Sequence, residues 1–154
     1  MLESVVVPLV LLVNGLAGGV LVGTQLGGFP LLAALPADRY VHAHAFFASR
    51  YDPFMPACLV GTVAGDLLLA VLAPDAAPRV LYAVAAGLAA STVVVSLTKN
   101  VPINKWVQAL DPDRLPADFA WHDRRQAWGM WNRVRSWLVV LALLANCAAL
   151  GLLL

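Results

Sequence analysis

Charge is scarce in this chain. Only 12% of its 154 residues are Asp, Glu, Lys or Arg, while 61% are hydrophobic, and the mean hydropathy is +0.79. Those values lie far from a soluble globular average. The net charge is only +1, because acids in the polar segments offset the bases, so a nucleic-acid partner is not expected. Cysteine is also rare. Cys58 and Cys147 lie at depths that differ by roughly 14 Å along parallel spans at 1.5 Å per residue. A disulfide needs Cα atoms within about 7 Å, which predicts two free thiols. The leader Met1-Leu2-Glu3-Ser4 has no Lys or Arg and the apolar run after it is long, which argues against a cleaved signal peptide. There is no serine-nucleophile elbow, phosphate loop or dinucleotide fingerprint. No internal repeat or low-complexity linker divides the chain, so one domain covering residues 1–154 is expected.

What the chain has is four long apolar stretches, at about 5–27, 54–73, 80–98 and 134–154. Each approaches the roughly 20 residues a bilayer crossing needs, and in lipid each must be helical to satisfy its own backbone. The expected fold is an all-α integral membrane four-helix bundle with two long, partly helical loops on one side. Gly15, Gly19, Gly23 and Gly27 form an every-fourth row on the first span, and Gly61 and Gly65 repeat the spacing on the second. Such rows suit close packing of a neighbouring helix. Arg39, Arg50, Lys99, Lys105, Arg114, Arg124, Arg125, Arg133 and Arg135 fall at the face of the two long loops, and only Arg79 at the other. That bias predicts an integral protein, in the cytoplasmic membrane, with cytoplasmic loops and both termini outside.

Asp66 is the only acid inside an apolar span. A carboxylate near a bilayer centre costs at least about 2–3 kcal/mol, so it is expected to face protein or a cavity. Asn14 and Asn146 fall within roughly 2 Å of its depth, reckoned from the loop face at 1.5 Å per residue. Two readings stand: a hydrogen-bonded layer tying helices together, or the floor of a cavity open to the loops.

The second long loop carries the most chemistry. It begins Lys99-Asn100-Val101-Pro102-Ile103-Asn104-Lys105-Trp106, and Pro102 is expected to end the third span, with a short interfacial helix over Ile103–Leu110. Asp118 is a good N-cap. Trp121, Arg125, Trp128, Asn132 and Arg135 then follow at spacings of four, three, four and three, one stripe of a helix running into the fourth span with a bend at Gly129. An interfacial aromatic belt with basic anchors explains the tryptophans. Asn132 and Arg135 on the same face favour a ligand-facing stripe.

In the first loop Asp38 can cap a helix over Arg39–Ser49, which places Tyr40, His44, Phe47 and Tyr51 on one face and His42 nearly opposite. His42-Ala43-His44 is therefore a poor metal motif. His44 and His122 can meet across the loops, and with a carboxylate would suit iron or copper, though no recognised ligand spacing is present.

The run Asn100-Val101-Pro102-Ile103-Asn104, followed by Trp121, Trp128 and Asn132-Arg133-Val134-Arg135 at the entrance to the fourth span, resembles the DUF1772 family, the anthrone-oxygenase-like membrane proteins. The resemblance covers essentially the whole chain. It implies a small membrane oxidoreductase, a monooxygenase of polyketide biosynthesis that oxidises anthrones to anthraquinones with no organic cofactor. It carries site roles to Asn104, Trp128, Asn132 and Arg135, but Arg133 stands where the family commonly has His, which removes a candidate base. The expected catalytic set is His44, His122, Asn104, Asn132 and Arg135, with Tyr40, Tyr51, Trp121, Trp128, Asp66 and Asn14 around a hydrophobic aromatic substrate. A flat, carbon-acidic substrate would stack on tryptophan, lose a proton to His44 or His122, and present an enolate to arginine. No cofactor is expected, with iron or copper the lesser alternative, and lipids and the small molecule are the expected partners. A cyclase or isomerase, a non-catalytic membrane subunit and a lipid-binding protein are the alternatives in function.

Overall fold

A computed structural model describes residues 3–51 and 53–153, and among these the chain is helical with no strand. Four helical runs are long and apolar enough to cross a membrane: Glu3–Ala34, Phe54–Leu72, Ala76–Gln108 and Phe119–Gly151. This is an integral membrane protein. Three runs extend beyond the expected spans, and the expected last residue, Leu154, lies outside the described residues, as do Met1 and Leu2 of the leader.

The first run is α1 (Glu3–Gly23), a π-helical turn (Thr24–Gly28) and α2 (Phe29–Ala34). After Leu35-Pro36 comes α3 (Ala37–Tyr51), and then α4 (Phe54–Leu72). The third run repeats the device of the first: α5 (Ala76–Val95), a π-helical turn (Ser96–Asn100) and α6 (Val101–Gln108). The short α7 (Phe119–His122) precedes the long α8 (Arg125–Gly151). Neighbours pack in the cyclic order α1, α4, α5, α8.

Pro102 does not end the third helix as expected. Proline lacks an N–H and its ring presses on the carbonyl four residues back. Here the turn before it widens, with the Val101 N–H bonding the Ser96 carbonyl five residues back. Phe29 bonds Thr24 in the same way just before Pro30. Both prolines then sit in the first turn of the next α segment, where the missing donor costs little.

The glycine row of α1 also departs from expectation. A Cβ at Gly15, Gly19, Gly23 or Gly27 would touch nothing, so these residues do not seat a neighbouring helix. The close approaches lie elsewhere. Gly65 of α4 sits against Val10, where a Cβ would collide, and Gly129 of α8 sits against the Phe29 ring in the same way.

The two long loops fold onto one end of the bundle as a cap. Leu32, Tyr40, Val41, Ile103, Val107, Phe119 and Trp128 form its core. Arg125 pins it, donating from Nη1 to the carbonyls of Leu32 at 3.2 Å and Leu35 at 2.8 Å and from Nε to Asp123 at 2.7 Å. Its guanidinium lies 4.0 Å over the Tyr40 ring. Cys58 and Cys147 are both free thiols.

Candidate functional site

A cavity of about 550 Å³ lies between the cap and the adjoining half of the bundle. That is a usual size for a drug-sized ligand. Both π-helical turns line it, through Thr24, Gly27 and Gly28 on one side and Ser96 on the other. π turns are frequent at functional sites because they displace side chains and loosen the backbone ladder. The wall is mostly apolar, with two polar groups set into it.

The first polar group is at the cap. Trp128 Nε1 donates to Asn104 Oδ1 at 2.7 Å, and His44 Nε2 meets the same oxygen at 3.0 Å. Indole N–H can only donate, so the Asn104 atom is an oxygen, and His44 Nε2 must carry a hydrogen. The neutral imidazole is therefore the Nε2–H tautomer. Its acceptor, Nδ1, is covered by protein and has no partner. The ring is packed edge-on between Tyr40, at 5.3 Å, and Trp128, at 4.9 Å. Burial pushes the His44 pKa down, against a smaller upward pull from the Asn104 bond, so the ring is neutral at pH 7. Asn100 holds Trp128 from behind, its Nδ2 donating to the Trp128 carbonyl at 3.1 Å.

The second group faces it one to two turns along α8. Arg135 donates from Nη2 to Asn132 Oδ1 at 2.9 Å and from Nη1 to Ser96 Oγ at 3.1 Å. Asn132 in turn donates from Nδ2 to Gln25 Oε1 at 3.1 Å and to the Leu21 carbonyl at 3.3 Å. Ser136 Oγ also donates to that carbonyl, at 3.1 Å. Arg135 Nε is buried without an acceptor. Among the described residues the ion pairs are His122–Asp118 and Arg125–Asp123, so no carboxylate neutralises Arg135. A guanidinium set in an apolar wall with its Nε–H unsatisfied and no counter-ion is a place for an anion.

Of the residues expected at a site, His44, Asn104, Asn132, Arg135, Tyr51 and Trp128 line this cavity. The other five lie elsewhere. Tyr40 is buried behind His44 in the cap core. Trp121 is 91% exposed, because the helix breaks at Asp123-Arg124 and α8 restarts at Arg125, so the predicted stripe is not one helix at its beginning. The same break leaves His122 on the surface, bonded to the Asp118 carbonyl at 3.2 Å and not facing His44. Asp118 makes no side-chain cap, and α8 runs on through Gly129. Asn14 and Asp66 are buried in the far half of the bundle, away from the cavity wall. His42 is exposed on the opposite face of α3. Among the described residues no three His, Cys, Asp or Glu side chains converge as metal ligands.

Gln25 and Ser96 are participants that the sequence did not single out, whereas Phe47 was placed on the His44–Tyr51 face of the first-loop helix. Gln25 and Ser96 were visible as polar residues within apolar runs, but their direction depends on π turns that α-helical spacing does not anticipate. Phe47 sits one turn from Tyr51 and stacks on it at 6.3 Å between ring centroids.

No curated protein and no solved structure showed significant similarity to the chain. A family comparison did: residues 44–145, from His44 of the cap to the last turns of α8, match the anthrone oxygenase family, and the chain belongs to that family.

Proposed function

We propose that the protein is a membrane-embedded oxygenase of a flat, hydrophobic aromatic metabolite of the anthrone class, working without an organic cofactor. The observation that carries this reading is Arg135, an uncompensated guanidinium facing an apolar cavity across from a neutral histidine. Such a pair suits a substrate that is apolar when it arrives and anionic when it reacts. Cavity-wall residues Leu31, Val60 and Leu97 are 51%, 57% and 61% exposed, on surfaces that meet lipid, so a membrane-dissolved substrate can enter sideways.

The substrate stacks against Trp128 and the Phe47–Tyr51 pair, with its ketone oxygen toward Arg135. His44 takes a proton from the activated CH₂ carbon at Nδ1 as the imidazole turns toward the substrate, and the electron pair moves onto the ketone oxygen. Arg135 stabilises that enolate, and Asn132 and Ser96 hold the guanidinium in place. The carbanion form adds dioxygen at carbon, and the peroxide anion so formed takes the proton back from His44 to give a hydroperoxide. Loss of water leaves a carbonyl, so one O₂ converts CH₂ to C=O and releases one H₂O. The basic bias of the capped end favours a cytoplasmic cap, with both termini on the other side.

Purified protein in lipid nanodiscs should consume dioxygen and convert anthrone to anthraquinone in equal amounts, faster than the spontaneous reaction. Conversion at only the spontaneous rate, with the protein folded, would remove this reading. Metal analysis of the active protein should find no stoichiometric iron or copper; activity that tracks a bound metal would replace the His44 mechanism.

A further inference from the structure

We propose that the cavity holds its ligand at two opposite edges, with the Asn104 amide N–H pair donating to an oxygen at one edge and Arg135 donating to an oxygen at the other. The inference rests on the substrate class proposed above and gives Asn104 a role within it. The side-chain oxygen of Asn104 already accepts two hydrogen bonds, from Trp128 Nε1 at 2.7 Å and from His44 Nε2 at 3.0 Å. An amide oxygen has two lone pairs, so that acceptor is full. The amide is planar, which turns Nδ2 and its two hydrogens away from both donors. Among the described residues nothing accepts from Asn104 Nδ2, yet the atom is not sealed in by protein. Asn104 lines the cavity, as do His44, Trp128 and Arg135. The N–H pair therefore opens on the space that the ligand fills.

Position and chemistry agree. Trp128, which holds the Asn104 oxygen, and Arg135 lie two turns apart on α8, roughly 10 Å of rise at 1.5 Å per residue. A tricyclic ligand with oxygens at opposite edges of its central ring spans such a gap with a hydrogen bond of about 2.9 Å at each end. The two ends differ in what they offer. Arg135 is charged and suits the oxygen that is present on arrival and becomes an enolate. Asn104 is neutral and sits beside His44, where the CH₂ carbon stands and no oxygen exists until dioxygen has added. Its N–H bond is made to the carbon-bound oxygen of the peroxide and kept in the new carbonyl. An interaction absent from the substrate and present afterwards favours the step that creates it. It also makes the diketone product a tighter ligand than the monoketone substrate, so added product inhibits.

The test uses the full chain in nanodiscs without dioxygen, so it needs no turnover. Anthraquinone should bind more tightly than anthrone after correction for their partition into lipid, by about two- to tenfold for one neutral hydrogen bond. Infrared difference spectra of bound anthraquinone, isotopically labelled at one carbonyl, should show both carbonyl stretches lowered from their positions in lipid. In Asn104→Asp at mildly alkaline pH the new carboxylate still accepts from Trp128 and His44 but cannot donate. One carbonyl should then return to its lipid position, the other should stay lowered by Arg135, and the preference for the diketone should vanish. The wild-type spectrum decides alone where Asn104→Asp does not fold. A single lowered carbonyl in the wild type, two in Asn104→Asp, equal binding of the two ligands or no binding of anthraquinone would each overturn the role of Asn104. Accelerated turnover with one free carbonyl would remove that role and keep the oxygenase. Two lowered carbonyls with turnover only at the spontaneous rate would keep the two-ended site and remove the oxygenase.

Discussion

At the residue scale, the proposed reaction divides its chemistry between Arg135 and His44, and each gives a distinct measurement. His44 must be neutral to accept a proton, and burial holds its pKa below the ordinary 6.5. Activity should therefore rise with pH through a midpoint below 6.5, then level off. Stability follows the same group: its folded pKa is depressed, so its contribution is present above the unfolded pKa and is lost as pH falls through the folded one. Asn104→Asp would set a carboxylate against the Nε2–H and favour the imidazolium. The acid limb of the pH–rate profile should move to higher pH, and an unmoved limb would show that His44 is not the titrating base. The asparagine–tryptophan pairing was partly legible, since Asn104, Trp128, Asn132 and Arg135 all sit in one recognisable run. That His44 belongs with them was not readable from spacing, because Asn104 is 60 residues away and the contact forms only when α3 folds onto α6.

At the scale of elements, the two π turns and the break before α8 decide which side chains reach the cavity. Helical periodicity assumes a uniform α winding. It therefore put Trp121 in line with Trp128, and missed Gln25 and Ser96. Pro30 and Pro102 mark both π turns in the sequence, but a proline signals interruption without saying whether the helix stops or widens. The contact between Gly129 and Phe29 is a sensitive joint, since Phe29 also packs against Trp128 at 6.4 Å. Gly129→Ala should push the ring aside and cost about 1–3 kcal/mol through overpacking, visible as a lower melting temperature. Combining it with Phe29→Ala should recover much of the loss. If Gly129→Ala melts like the wild type, that joint is looser than described. Gly19→Ala, on the open row of α1, should be tolerated, because its Cβ meets nothing.

At the scale of the whole molecule, the membrane class and the four-helix plan were written in the hydropathy, because continuous apolar runs of this length satisfy their own backbone in lipid as helices, whereas barrel strands are shorter and alternate. The folded cap was less visible. Its core is built from residues such as Leu32, Val41, Ile103 and Phe119, which are scattered over two loops and carry no shared period. The proposed orientation rests on the nine bases at the capped end, and it predicts that a reporter active only in the cytoplasm is silent when fused after Leu154 and active when inserted near Pro112. The reverse result would turn the cap outward. The most direct test of the central claim is the turnover of Arg135→Lys in nanodiscs, measured as dioxygen uptake with an anthrone. Lysine keeps the charge but loses the planar fork that Asn132 and Ser96 position, so the rate should fall more than about tenfold, the loss of roughly 1.4 kcal/mol of transition-state stabilisation, while the melting temperature changes little. Unchanged turnover in a folded Arg135→Lys protein would contradict the account, because Arg135 would then be an interfacial anchor and not the anion-binding group of an active site.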